Sequence, residues 1–303
     1  MGVIDTVNRN KYSGQVVKVF FMISFPFLKT LKKGAIMATR ISGLLLCVAG
    51  SFVVSAASAQ DVTKIHNFSA AAEVSDYKYK EPGLMKYTGT MYGVTVEYLN
   101  NGGVGHIKRT IPVQLRARVN YMQGKLKYDG AYWSGEPLKF SGEKQYFVDT
   151  IFAGGLEARV SEKFSVSPYM GLGYRYLLDQ GNGHPDAYKR EQTYYYLPIG
   201  ADLKISPATT WRVSFNTEFD ILLRGENRSD GHKFRQNSGY GLRASAKVEK
   251  NLQSVGIFVE PFYRYWNISK SDSKYGYDGG VWYSIYEPKN NTQELGLRVG
   301  VTF

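Results

Sequence analysis

From about residue 67 to the end of the chain, apolar and polar residues alternate with period two, segment after segment. That is the pattern of strands with one face against an apolar medium. The last segment shows it most cleanly. Leu295, Leu297, Val299, Val301 and Phe303 share one face, and Glu294, Gly296, Arg298, Gly300 and Thr302 share the other. Residues 211–224 repeat it, with Trp211, Val213, Phe215, Phe219, Ile221 and Leu223 opposite Arg212, Ser214, Asn216, Glu218, Asp220 and Arg224. Residues 111–121 set Ile111, Val113, Leu115, Ala117, Val119 and Tyr121 against Gln114, Arg116, Arg118 and Asn120. The pattern predicts about ten strands and no helix of any length. They fall near 67–80, 89–99, 108–127, 145–159, 164–178, 191–205, 209–224, 236–249, 254–268 and 292–303. Connections near 160–164, 205–209 and 249–254 are tight, and 100–107 is a Gly-rich turn. Those near 81–88, 128–144, 179–190, 225–235 and 269–291 are mostly longer and polar. This is an up-and-down antiparallel meander with its long loops at one end. The fold class expected is all-β, a closed antiparallel barrel over residues 60–303.

Composition agrees: the 303 residues include 24 Tyr and 32 Gly, and aromatic residues make up 15%. The single Cys, Cys47, excludes a disulfide framework and a Cys-rich metal site. Half of the net charge of +12 lies in residues 1–59, where Arg9, Lys11, Lys18, Lys29, Lys32, Lys33 and Arg40 face only Asp5. That segment reads as a removable leader, so the charge gives no ground for a nucleic-acid partner and none is expected. Arg40 supplies a basic start, Ile41 to Val54 an apolar stretch, and Ala57-Ser58-Ala59 a cleavage site, so the mature chain is expected to begin near Gln60. Residues 1–36 fit an upstream artefact, with translation starting at Met37, or else an extended leader.

Alternation alone does not separate a soluble barrel from a membrane barrel. Strand length, export, a mature chain without cysteine, and aromatic clusters at strand ends favour the membrane. The clusters are Tyr174-Arg175-Tyr176, Tyr194-Tyr195-Tyr196, Tyr263-Arg264-Tyr265-Trp266 and Trp282-Tyr283. Together with the terminal strand ending in Phe303, they make the chain resemble bacterial outer-membrane β-barrels, and in size the ten-stranded, omptin-like barrels. The resemblance implies the bacterial outer membrane as location and lipids and lipopolysaccharide as surroundings. It also implies a monomer, and recognition of the strand ending in Phe303 by the barrel-assembly machinery. A spanning sheet has to close because the bilayer offers no hydrogen-bond partners. Its polar face then looks inward, carrying Glu73, Asp149, Glu218, Asp220 and Glu294 with Arg116, Arg118, Arg175, Arg243, Arg264 and Arg298 among others. A lumen of paired charges, nearly plugged, is expected. Gly171, Gly173, Gly296 and Gly300 are expected to make room in it for arginines and tyrosines.

Chemistry, if any, belongs in the loops. Histidine is limited to His66, His106, His184 and His232, none at metal-ligand spacing, and neither a metal nor any other cofactor is expected. No Gly-rich phosphate loop or Ser/His/Asp set is visible. Asp230-Gly231-His232 resembles the Asp-x-His dyad of the omptin proteases, which implies Asp230 as the orienting group and His232 as the base. Where that family has an Asp-x-Asp partner, the second long loop here offers only Asp129. A solvated turn accounts for Asp230 and His232 more simply. The expected function is a surface-exposed barrel with a structural or contact role and no catalysis. An omptin-like protease and a narrow, low-conductance pore are the alternatives.

Overall fold

The computed structural model describes residues 66–100, 113–132, 134–229, 231–252, 255–278 and 281–303. The leader, its cleavage site, His106 and Asp230 lie outside the described residues. The elements are β1 (His66–Glu81), β2 (Met85–Asn100), β3 (Val113–Ala131), β4 (Pro137–Leu156), β5 (Ala158–Ser161), β6 (Phe164–Asp179), β7 (Arg190–Ala208), β8 (Trp211–Ser229), β9 (His232–Gln236), β10 (Gly239–Leu252), β11 (Val255–Ile268), β12 (Lys274–Asp278), β13 (Val281–Ile285) and β14 (Asn290–Thr302).

Ten of these form a ring of antiparallel pairs, β1-β2-β3-β4-β6-β7-β8-β10-β11-β14, which closes where β14 pairs with β1. β5 continues the line of β4 along β6, and β9 pairs only with the upper part of β8. Closure is sealed at the lower rim. There the Phe303 N–H donates to the Phe68 carbonyl at 2.8 Å, and the two rings lie 6.3 Å apart. The first outer turn is Glu81–Met85. Gly83 takes φ 81°, a left-handed value that glycine adopts without a Cβ clash, and the Leu84 N–H reaches the Glu81 carbonyl at 3.0 Å.

Outward-facing apolar residues form a belt: Val94 and Val96 on β2, Leu172 on β6, and Leu297 and Val299 on β14. An aromatic girdle bounds it above. Ring contacts link Tyr121 to Tyr146, Tyr146 to Tyr176, Tyr174 to Tyr195, Phe219 to Tyr240 and Tyr240 to Tyr265, at 5.3–6.2 Å. This is the interfacial band of a membrane barrel. Two of the four aromatic clusters noted in the sequence join it only in part, through Tyr195 and Tyr265. Tyr194, Tyr196 and Trp266 point inward and are buried, because neighbours along a strand face opposite sides.

Two further expectations are corrected. The segments 128–144 and 225–235 are mostly strand, for β3 and β4 run up to Ala131 and Pro137 and leave only 132–136 between them, and β8 and β9 form a hairpin. The 269–291 segment likewise contains the separate β12–β13 hairpin. Beyond the bilayer, pairing still satisfies backbone groups, so the strands continue. Arg224 was expected to face the lumen. A bulge sets Tyr195 opposite Arg224 but Tyr196 opposite Leu222, so Leu222 turns in. Arg224 turns out, 3.5 Å from Glu226.

Candidate functional site

The bore at bilayer level is crossed by ion pairs. Arg264 on β11 binds Glu73 on β1 and, at 2.8 Å, Glu294 on β14. Arg175 on β6 reaches Glu294 at 3.4 Å and Asp149 at 3.2 Å. Arg243 on β10 joins Asp149, Glu218 and Asp220 at 2.7–3.0 Å. Arg118 on β3 meets Glu218 on β8 at 3.1 Å, and Arg298 joins Glu73 to Glu260. Lower down, Arg116 binds Asp202. The lumen is therefore filled by paired charges, as the alternation predicts. Of the four glycines expected to make room for arginines and tyrosines, Gly173, Gly296 and Gly300 make room for rings, and Gly171 lies against the Phe152–Ala153 backbone. A Cβ on Gly173 would lie 2.1 Å from the Tyr196 ring, and one on Gly296 would lie 2.4 Å from that of Phe262. A cavity of about 20 Å³ lies beside Arg118, Arg243, Arg264 and Arg298. That is room for about one water molecule.

Higher up, the lumen changes character. Tyr77, Tyr79, Tyr87, Met91, Met122, Leu126, Phe147 and Leu177 pack into a buried apolar core above the charges. Phe147 is the boundary, with the Arg175 guanidinium 3.9 Å below its ring centre. On the same strands the outward positions become polar: Asp76, Lys78 and Lys80 on β1, Thr88 and Thr90 on β2, and Gln123, Lys125 and Lys127 on β3. The alternation thus reverses phase at the girdle. A polar-lined lumen throughout was expected, and the signal for the reversal was legible in Tyr77-Lys78-Tyr79-Lys80 and Lys125-Leu126-Lys127.

The outer mouth gathers buried carboxyl groups around one cation. Arg190 donates to Glu81 at 2.5 Å and lies 4.0 Å from Glu287. Glu143 accepts the N–H groups of Gly181, Asn182 and Gly183 at 2.7, 3.3 and 2.8 Å, which ties down the 180–189 loop. Burial pushes the Asp179 carboxyl up to about 7, helped by its hydrogen bond with Glu143, while Arg190 opposes the shift. Burial likewise pushes Glu287 up to about 7, against the pull of Arg190. Ser271 holds Glu287 in place through two hydrogen bonds: its N–H donates to the Glu287 carbonyl, and its hydroxyl oxygen accepts from the Glu287 N–H.

Of the sequence-predicted site residues that the structure describes, His232 and Asp129 are not gathered here. His232 opens β9, exposed, opposite Ser229 at the tip of the hairpin and 6.2 Å from the Phe234 ring. Asp129 sits on β3 and is held by Lys86 at 3.0 Å and Lys139 at 3.4 Å. His184 stacks on Phe140 and lies 3.6 Å from Asp186. Beside the hairpin, Tyr188, Lys189, Glu191, Arg228, Ser229 and Gly231 line an open cleft of about 290 Å³.

Among solved structures, the chain is similar to the outer membrane protease OmpT from Escherichia coli. The two are 9% identical, the match covers 82% of this chain and 99% of that one, and the TM-score is 0.55. The fold is that of the outer-membrane β-barrels. The transport unit of the autotransporter AIDA-I from Escherichia coli aligns at 12% identity over 86% of this chain and 97% of that one, with a TM-score of 0.40. The attachment invasion locus protein Ail of Yersinia pestis aligns at 11% over 78% and 98%, with a TM-score of 0.28. No protein-family model and no curated protein matches the chain. An apolar belt outside, charges inside and this barrel fold together place the protein in the bacterial outer membrane.

Proposed function

We propose that this outer-membrane barrel is a sealed scaffold that acts by surface contact, without catalysis and without a conducting lumen. The observation carrying this reading is the set of ion pairs across the bore, Arg175–Glu294 and Arg118–Glu218 above all, capped by the apolar core around Phe147. Its contact surfaces are the 180–189 loop, the β8–β9 hairpin and the β12–β13 hairpin, where Tyr275 on β12 and Tyr286 just after β13 are exposed. Its partners in this reading are outer-membrane lipids and lipopolysaccharide, with the β14 strand and Phe303 read by the barrel-assembly machinery. It acts as a monomer.

Purified protein in planar bilayers is expected to show no stable channel steps, and reproducible porin-sized steps would overturn the reading. A mixed peptide library incubated with the protein and lipopolysaccharide is expected to stay intact. Cleavage abolished by His232→Ala would replace this reading with the protease.

A further inference from the structure

The 180–189 loop carries an Asn–Gly pair, Asn182-Gly183, against β4. Such a pair can close on itself. When the nitrogen of the following residue attacks the Asn side-chain carbonyl carbon, a succinimide ring forms. Glycine, without a Cβ, leaves that nitrogen unshielded. Two things slow the step in water: the backbone nitrogen holds its proton, and the side-chain carbonyl is a weak electrophile. In this loop a neighbour acts on each.

Glu143, buried on β4, accepts the Gly183 N–H through Oε2 at 2.8 Å. That is within the reach required of a general base. Its Oε1 accepts the N–H groups of Gly181 and Asn182 at 2.7 and 3.3 Å, which holds the carboxylate on the turn. The Lys144 N–H donates to Asn182 Oδ1 at 3.3 Å. It polarises the carbonyl and supports the negative charge that gathers on its oxygen as the nitrogen adds. Asn182 Nδ2 donates to Gln180 Oε1 at 3.0 Å, and the Gln180 N–H donates to the Lys144 carbonyl at 3.0 Å. Anchoring the loop needs only the bonds to Glu143. The Lys144 bond to the oxygen of the reacting carbonyl is a separate observation. Asn182 is exposed, so water reaches the ring once it has formed.

We propose that Asn182-Gly183 is a self-modification site with Glu143 as its general base. Glu143 takes the Gly183 proton as the Gly183 nitrogen bonds to Asn182 Cγ. The Cγ–Nδ2 bond breaks, and the nitrogen leaves as ammonia with the proton that Glu143 returns. Water then opens the succinimide at either carbonyl, giving aspartate or isoaspartate. Either product adds a negative charge to the turn beside Glu143 and Asp179, whose Oδ1 accepts the Gly181 N–H at 3.4 Å. Isoaspartate also puts the β-carbon into the main chain, so the N–H groups of the turn no longer match the carboxylate. The reaction therefore releases the loop from β4, and the release is one-way.

The test incubates the full-length folded barrel at neutral pH and follows Asn182 by peptide mapping, with isoaspartate methyltransferase labelling of the product and hydroxylamine trapping of the ring. A synthetic peptide of residues 178–186, which lacks Glu143, is the reference. Asn182 is expected to convert at least about tenfold faster in the barrel than in the peptide, a modest share of what a general base supplies. Glu143→Gln keeps an acceptor for the loop but not the base, and is expected to bring the rate down to that of the peptide or below. The first comparison needs no variant, so it stands even where Glu143→Gln loses the loop. In fully converted barrel, hydrogen exchange at Gly181 and Gly183 is expected to be faster than in fresh protein. The base assignment is overturned if the barrel converts no faster than the peptide, or if Glu143→Gln converts as fast as wild type or faster, which would make Glu143 an anchor only. Unchanged exchange after conversion would overturn the release.

Discussion

Below the girdle, β1 to β3 are charged inside and apolar outside. Above it, the same strands are apolar inside and charged outside. On β3 the inward residues run Arg116, Arg118, Asn120, then Met122 and Leu126, while the outward ones run Leu115, Ala117, Val119, Tyr121, then Gln123, Lys125 and Lys127. One sheet is therefore two kinds of protein stacked end to end, and the boundary is set by the solvent. Hydrocarbon forces polar groups into the bore, where they have to pair. Water around the upper wall lets ordinary hydrophobic burial resume. The upper part is a small soluble-type core standing on a membrane-type one.

The largest test of this contrast removes a charge from the lower bore. Arg175→Met leaves Asp149 and Glu294 each short of a partner and is expected to cost about 3–5 kcal/mol, read as a fall in the urea midpoint in micelles. A cost below that of a surface substitution would show that the bore is hydrated and open. The next test uses outward positions on either side of the girdle. Val299→Arg, in the apolar belt, is expected to cost about 2–4 kcal/mol at mid-bilayer. Thr90→Arg, outward but above the girdle and opposite Asp76, stays within about 0.5 kcal/mol. Equal costs would erase the boundary.

A smaller effect is expected at Gly300. From the alternation alone, Gly300→Ser is expected to be tolerated, because the residue faces a polar lumen. The Phe258 ring lies 2.7 Å from where its Cβ would stand, and the Ala70 carbonyl oxygen 2.4 Å, so overpacking of about 1–3 kcal/mol is expected instead.

The smallest effect is confined to the mouth. Asp179 and Glu287 hold protons up to about pH 7 in the folded mouth, whereas unfolded carboxyls release them near pH 4. The folded form binds more protons in that window. The contribution of these groups is therefore fully present below about pH 4 and is lost as pH rises towards about 7. Hydrogen exchange at Gly181 to Gly183, corrected for its intrinsic rate, is expected to be faster at pH 8 than at pH 5.5. Asp179→Asn is expected to flatten the difference.

The belt, the closure and the lower lumen were legible because one rule, period-two alternation, holds along each strand at bilayer level. The strand at 292–303 is found at Asn290–Thr302, and Glu294 and Arg298 face inward as read. The upper part was less legible because the alternation persists while its meaning inverts. Tyr77 and Tyr79 look like girdle residues until one knows they lie above the bilayer. The mouth around Arg190 escaped for another reason. Glu81, Glu143, Asp179 and Glu287 come from four separate segments, and no local spacing announces that they meet. Asp230 and His232 carry a local spacing, and His232 stands exposed at a hairpin tip.

The ion pairs in the bore also order the assembly of the chain in time. Glu73 on the first strand meets the donors Thr95 and Asn120 on β2 and β3, but its cationic partners Arg264 and Arg298 come only 191 and 225 residues later. Until those strands arrive, Glu73 has to keep its water, because a lone buried carboxylate is too costly. Drying of the bore therefore does not proceed strand by strand. It happens when β14 reaches β1, so the last thirteen-residue strand acts as the closing step of the whole barrel. A chain ending before β14 yields a hydrated open sheet, not a smaller barrel, and contacts this distant in sequence make the closing step slow and cooperative.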